Sequence, residues 1–363
     1  MFGYNHLFLT RNSYMENRNI LNFNCFFPYK SDEMKRWISG GILTLAILAC
    51  NKEFLPKATS LNLQPNTEIT VLSTPKSFRT ASDIINLDGA HDITIYGKVI
   101  TGGANPMITL TNCYNIHITK CKLYNSKDVA IHLYKCRNIT IDYNYFNNVS
   151  SGVYAEQTTE GGIKVDHNQF LNMVGPFPRG QFVQFNNISG PNSSISYNKG
   201  ENIFGQSYPE DGISLYQSNG TKASPIKIYG NWLRGGGPST SGGGIMLGDK
   251  GGSYLIASNN ILVDPGEYGM AIAGGDHNTM INNTIYGKQQ YFTNVGLYIN
   301  GIDGYKATNC IISGNKVKYF NKTNYQNNAW IAPGTDKPAG WETNIFGADI
   351  DATILPLKII TSD

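Results

Sequence analysis

Three consecutive stretches of the chain superimpose at an offset of 23 residues: IINLDGAHDITIYGKVI (84–100), MITLTNCYNIHITKCKL (107–123) and AIHLYKCRNITIDYNYF (130–146). Leu87, Leu110 and Leu133 fall in one column, Ile93, Ile116 and Ile139 in a second, and Ile95, Ile118 and Ile141 in a third. Asp92, Asn115 and Asn138 share a fourth. Each repeat therefore holds two short alternating runs, I-x-L and I-x-I, separated by polar turns. Alternation at period two marks strands. Runs this short cannot bury one face alone. Stacked coils bury a continuous core instead, with parallel rungs ~4.8 Å apart.

Looser coils follow. Their first strands read GVYAE (152–156), FVQFN (182–186), GISLY (212–216), GIMLG (244–248), GMAIA (269–273) and GLYIN (296–300). Second strands include GIKVDHNQF (162–170), PIKIYGNWL (225–233), YLIASNNIL (254–262) and TMINNTIYG (279–287). The pattern resembles a single-stranded right-handed parallel β-helix of the pectate-lyase-like superfamily. The resemblance implies an all-β solenoid of about nine coils over residues 61–322, with 323–363 as a C-terminal cap. The apolar ILPLKII (354–360), Trp330 and Trp341 are expected to plug the open end, because an uncovered sheet edge invites aggregation. Composition agrees: 39 Gly and 22 Tyr with only 15% charged residues suit short strands and turns. Asn144 and Asn168 are expected to stack as a turn ladder. Cys113 and Cys136 share a column and read as small apolar fillers rather than a disulfide.

Met34 opens MKRWISGGILTLAILAC (34–50), a positive start followed by an apolar run shorter than the ~20 residues of a membrane span. The Ile47-Leu48-Ala49-Cys50 end resembles a bacterial lipobox, which implies a signal peptide over 34–49, lipidation of Cys50 and a tether to residue 60. Residues 1–33 read as a leader or mis-called extension. The expected location is the bacterial cell envelope, with a lipid anchor as the membrane contact and the protein a monomer. The first 49 residues hold five Lys/Arg and three Asp/Glu; the remainder carries 24 basic against 23 acidic residues. Such balance excludes the basic footprint of a nucleic-acid binder.

First-strand spacing swells from 22 (Ile131 to Val153) to 30, 30 and 32 residues before falling to 25 (Ile245 to Met270). The extra residues form LNMVGPFPRGQ (171–181), IFGQSYPED (203–211) and LRGGGPSTSGGG (233–244), three loops predicted at one corner. The glycines of the third read as turns beside close neighbours, since no helix follows to complete a phosphate site.

Parity turns Ser214 and Tyr216 outward, with His132, Tyr134, Tyr154, Glu156, Gln184, Asn186, Met246, Tyr298 and Asn300 on neighbouring coils. Aromatics, amides and acids on one face suit sugars. The corner before these strands gathers Arg179, Glu210, Asp211, Arg234 and Glu267; the corner after them gathers Glu156, Asp249, Lys250, Asp276 and His277. The second corner could hold substrate or calcium, whose ligands are carboxylates and loop carbonyls; no other cofactor is implied. Asp211 and Asp249 are expected to lie apart, ~20 Å along the strand. DGISLYQSNG (211–220) with SGGGIMLGDKGG (241–252) faintly resembles the polygalacturonase group, but Gly243 stands where that group has His. The sequence points to a polysaccharide-active enzyme. For hydrolysis, Glu210 is the candidate general acid, Asp211 or Glu267 the activator of water, and Arg234 the orienting group. For a lyase, Arg179, Arg234 or Lys250 is the candidate base. A non-catalytic glycan-binding or adhesin-like solenoid is the alternative.

Overall fold

The computed structural model describes residues 80–361. The signal-like segment, Cys50 and the tether lie outside the described residues. Each coil runs through a front, a side and a back strand, and successive coils pair in parallel. The front sheet has ten strands, from Ile85–Asp88 to Ala329–Ile331. The side sheet has nine, from His91–Tyr96 to Ile311–Ser313, and the back sheet eleven, from Thr80–Ala81 to Ile345–Phe346. No α-helix occurs among the described residues.

The alternating runs dictate this arrangement. Ile108, Ile131, Val153, Val183, Ile213, Ile245, Met270 and Leu297 are successive front-sheet partners, and all are buried. Each such side chain contributes roughly 1.5–3 kcal/mol on leaving water. The front sheet has one rung more than the segments counted in the sequence, because Ala329–Ile331 pairs with Val295–Ile299 beyond residue 322.

The turn between side and back sheets carries a buried amide ladder. Asn144 Nδ2 donates to Asn168 Oδ1, and the relay continues through Asn198, Asn231, Asn260, Asn283, Asn315 and Asn344 at 2.8–3.0 Å per step. The left-handed geometry falls on the preceding residue, such as Tyr143, His167 and Tyr197, and not on the ladder asparagine itself. A tight turn needs one such residue per coil. The asparagine amide then satisfies the backbone that the turn leaves unpaired. Cys113 and Cys136 are free and buried.

The C-terminal segment does not plug the end as a block. Trp341 and Phe346 pack against the core at the last rung. Leu355, Ile359 and Ile360 instead lie across the outer side of the back sheet, on Val263, Tyr145, Leu171, Trp232 and Ile261. The back-sheet strands present apolar residues outward here, so the tail has a surface to cover. Trp330 does neither; it points outward from the last front strand, 45% exposed.

Candidate active site

The three swollen loops stack between back and front sheets, as their spacing predicted. Their glycines permit the close approach. A Cβ on Gly242 would lie 2.2 Å from the Glu210 carbonyl oxygen, and one on Gly243 would lie 2.5 Å from that of Tyr268. The glycine run is therefore a packing surface between loops.

Arg234 leaves this corner. Leu233 points into the core, so its neighbour Arg234 points out of the back sheet. There it pairs with Glu201 at 3.3 Å and donates to the carbonyls of Pro356 at 2.7 Å and Leu357 at 2.8 Å. It holds the C-terminal tail, and the orienting role expected from the sequence is lost. Glu210 is also a tie: its two carboxylate oxygens accept from Ser241 Oγ at 2.6 Å and Ser239 Oγ at 2.7 Å, joining the second loop to the third.

Arg179, Tyr154 and Glu156 do meet on the front face. The Arg179 guanidinium lies 4.1 Å from the Tyr154 ring centre and donates to Gln184. Tyr154 Oη donates to Glu156, which also bonds His132 Nε2 at 2.9 Å. Tyr216 sits farther along the same face, between Asn186 and Asp249 in register.

Asp211 lies at the centre of the arrangement. It is 7% exposed. Its Oδ1 accepts from the Gly243 N–H at 3.1 Å and from the Tyr268 hydroxyl. Burial pushes its carboxyl up to about 7, aided by the charges of Glu210 and Asp249 and opposed by the Tyr268 hydrogen bond. Tyr268 packs edge-on against Tyr298, ring centres 5.2 Å apart, over a small apolar patch of Met246, Ala271, Ala273 and Val295. Burial also raises Glu267, against the hydrogen bond from Asn294 Nδ2 and the charge of Lys322. Glu267 opens onto a cleft of about 260 Å³ with Tyr291, Phe292 and Lys322.

Asp249 stands toward the other end of the front strand from Asp211: its register partner is Tyr216, five residues after Asp211. The strand is bulged where Tyr216 pairs with Asp249, past Gly248 in left-handed geometry (φ +68). A bulge re-aims the side chain that follows it. The Asp249 carboxyl is raised by burial, and its charge bears on Asp211. The Tyr298 hydroxyl is raised by burial and then by the charges of Asp211, Glu267 and Asp249.

The remaining predicted residues lie apart. Lys250 pairs with Asp303 at 3.5 Å and lines a separate cleft of about 690 Å³ with Asp276, Tyr305 and Lys306. Asp276 is held near 2 chiefly by hydrogen bonds from Thr308 and Asn309. Asp276 Oδ1 accepts both of those bonds, and its Oδ2 lies 2.6 Å from His277 Nδ1. The His277 ring also stacks on Tyr254. Sequence reasoning missed Tyr268. Its signal was register: Tyr268 stands in the column of Asp211 and Gly243, as the pairing of Ile213, Ile245 and Met270 fixes.

A family model described as the right-handed beta helix region matches residues 66–170 and 211–329. No curated protein matches the sequence. Among solved structures, the catalytic domain of a GH87 α-1,3-glucanase in complex with nigerose is similar, with a TM-score of 0.50 and 13% identity. The match covers 71% of this chain and 50% of that one, so the chain spans about half the length of the glucanase domain. A mannuronic acid specific polysaccharide family 6 lyase from human gut microbiota gives a TM-score of 0.36 at 10% identity, over 70% of this chain and 77% of that one. The likeness to the glucanase, at 13% identity, is one of fold. The coils, the parallel sheets and the matched model together place the chain in the right-handed β-helix family.

Proposed function

We propose that the protein is a glycoside hydrolase acting on a polysaccharide laid across the front face. The observation that carries this reading is Asp211: a buried carboxyl raised to about 7, anchored through one oxygen by Tyr268 and Gly243. A carboxyl that keeps its proton near neutral pH can deliver it to a leaving glycosidic oxygen. Asp211, not Glu210, takes the role of general acid. Glu267 takes the role of base; its carboxyl, raised by burial, opens onto the cleft and is held by Asn294. Two rungs separate the Asp211 and Glu267 backbones, ~10 Å. That separation suits the wider pair of an inverting enzyme, about 6.5–9.5 Å between carboxyls, with water between. Asp249 and Tyr298 are then placed to bond sugar hydroxyls.

A lyase would need a cation against the uronate. Arg234 faces the tail, Arg179 covers Tyr154 and Lys250 pairs with Asp303, so the predicted cations are spoken for. The glucanase with this fold makes α-1,3-glucan the first substrate to try. The test is a polysaccharide panel on the purified protein, following new reducing ends and the ultraviolet absorbance of unsaturated uronates. Reducing ends alone, abolished in Asp211→Asn, support the hydrolase. Unsaturated products would make it a lyase. Binding without cleavage would make it a glycan-binding solenoid. We further propose envelope anchoring through Cys50; loss of radiolabelled palmitate incorporation in Cys50→Ser is the expected result, and unchanged labelling would refute it.

A further inference from the structure

The front face carries an aromatic row that leads away from Asp211. Tyr268, whose hydroxyl meets Asp211, packs on Tyr298 with ring centres 5.2 Å apart. Tyr298 is the register partner of Trp330, and their ring centres lie 6.4 Å apart at 54°. Tyr298 is partly covered, whereas Trp330 is 45% exposed on the last front rung. Of the other tryptophans among the described residues, Trp232 lies under the C-terminal tail and Trp341 packs on Phe346. Trp330 thus presents a large apolar surface to solvent in the outward column of the candidate site.

Two amides lie at the corner that precedes these strands. Asn294 Nδ2 donates to Glu267 Oε1, and Asn327 Nδ2 donates to the Asn294 carbonyl. These residues step along the loop corner from the rung of Glu267 to that of Trp330. A flat apolar ring on the strands and two amides at the corner where those strands begin offer the two kinds of contact that a pyranose takes. The C–H face of the sugar packs on the ring, and its equatorial hydroxyls exchange bonds with the amides.

We propose that Trp330 is a sugar-stacking platform, and that the glycan leaves the carboxyls along the solenoid axis toward the C-terminal end. A hexopyranose is about as long as one rung spacing, ~4.8 Å. Trp330 lies two rungs past Glu267, so it takes a sugar about two residues beyond the bond that is cut. The inference rests on the hydrolase reading for its starting point. It adds the direction of the chain and a dependence on chain length.

The experiment uses the Asp211→Asn protein, which binds without cleaving, with and without Trp330→Ala and Trp330→Phe. α-1,3-Gluco-oligosaccharides of increasing length, or those of the best panel substrate, are titrated by calorimetry. Circular dichroism establishes that each variant is folded. The expected result is that Trp330→Ala weakens long oligosaccharides by about tenfold, the worth of one aromatic contact. Oligosaccharides too short to reach the last rung bind unchanged, and Trp330→Phe recovers part of the loss. Equal affinity at every length, in a protein whose Asp211 form still cuts the glycan, overturns this proposal and leaves the hydrolase standing. An equal loss at every length also overturns it, since Trp330 would then merely prop Tyr298. A protein that neither binds nor cuts any glycan overturns both readings.

Discussion

Replacing Asp211 with Asn should abolish activity and stabilise the fold above neutral pH. The carboxyl is 7% exposed and moves from 3.8 to about 7 on folding, mainly through burial. A raised pKa means that the folded state prefers the protonated form. The stability this confers is fully present below the unfolded value of 3.8 and is lost as pH rises through about 7. Above that point the protein carries a buried charge at a cost on the order of 4 kcal/mol, at 1.36 kcal/mol per pH unit. Asparagine keeps the oxygen that accepts from Tyr268 and Gly243 but carries no charge. Its amide nitrogen replaces Oδ2, which takes no hydrogen bond among the described residues. Thermal denaturation of both proteins at about pH 8.5 and about pH 3.5 reads the difference. Asp211→Asn should melt several degrees higher at the alkaline pH and alike at the acid one. The same change should lower glycan hydrolysis by about 10²–10⁴-fold, the usual contribution of a general acid. Wild-type activity should fall as pH rises through about 7, where the donor loses its proton. An Asn variant less stable at alkaline pH, or a wild-type rate flat across this range, refutes the assignment.

Tyr268→Phe removes a hydrogen bond that lowers Asp211. The alkaline limb of the pH–rate profile should therefore move to higher pH, and a downward move would contradict the assigned cause. Arg234→Ala should free the tail from the back sheet. Roughly 2–3 kcal/mol of charge-assisted hydrogen bonding is lost and limited proteolysis near residue 357 appears, while glycan turnover stays within twofold or so of wild type. Asn231→Ala strands the Asn198 amide and the Ile195 carbonyl in the core, and should cost about 3–6 kcal/mol in urea denaturation. Asn148→Ala, in an exposed ladder, should cost under about 1 kcal/mol; equal costs would mean the buried ladder is not what holds the turns.

The fold was legible because a solenoid writes its contacts at a fixed offset. Ile93, Ile116 and Ile139 stand 23 residues apart in the sequence and become side-sheet partners. The swollen corner was equally visible, since loop length appears directly in the spacing. What spacing could not show was direction. Arg234 opens the glycine-rich loop in sequence, yet it belongs to the last strand position before the loop, where parity turns it out of the back sheet. Asp249 was placed by counting strand residues, and the count could not show the bulge at Gly248 that makes Tyr216 its partner.

Asp211 shows why the acid itself was hard to read. Its environment comes from Tyr268, 57 residues onward and two rungs away. Between them stands Gly243, the position at which the resemblance to polygalacturonases fails for want of a histidine. The missing side chain is what makes the contact: a Cβ on Gly243 would lie 2.6 Å from two atoms of the Tyr268 ring. The phenol reaches across the bare rung, covers Asp211 and gives it a hydrogen bond. Where a histidine would set a neighbouring carboxyl by its charge, this chain uses burial opposed by one neutral donor. Gly243→Ala would also set its Cβ 2.5 Å from the Tyr268 carbonyl oxygen, so the rung and the cover on Asp211 should shift together, and thermal stability and glycan turnover should both fall.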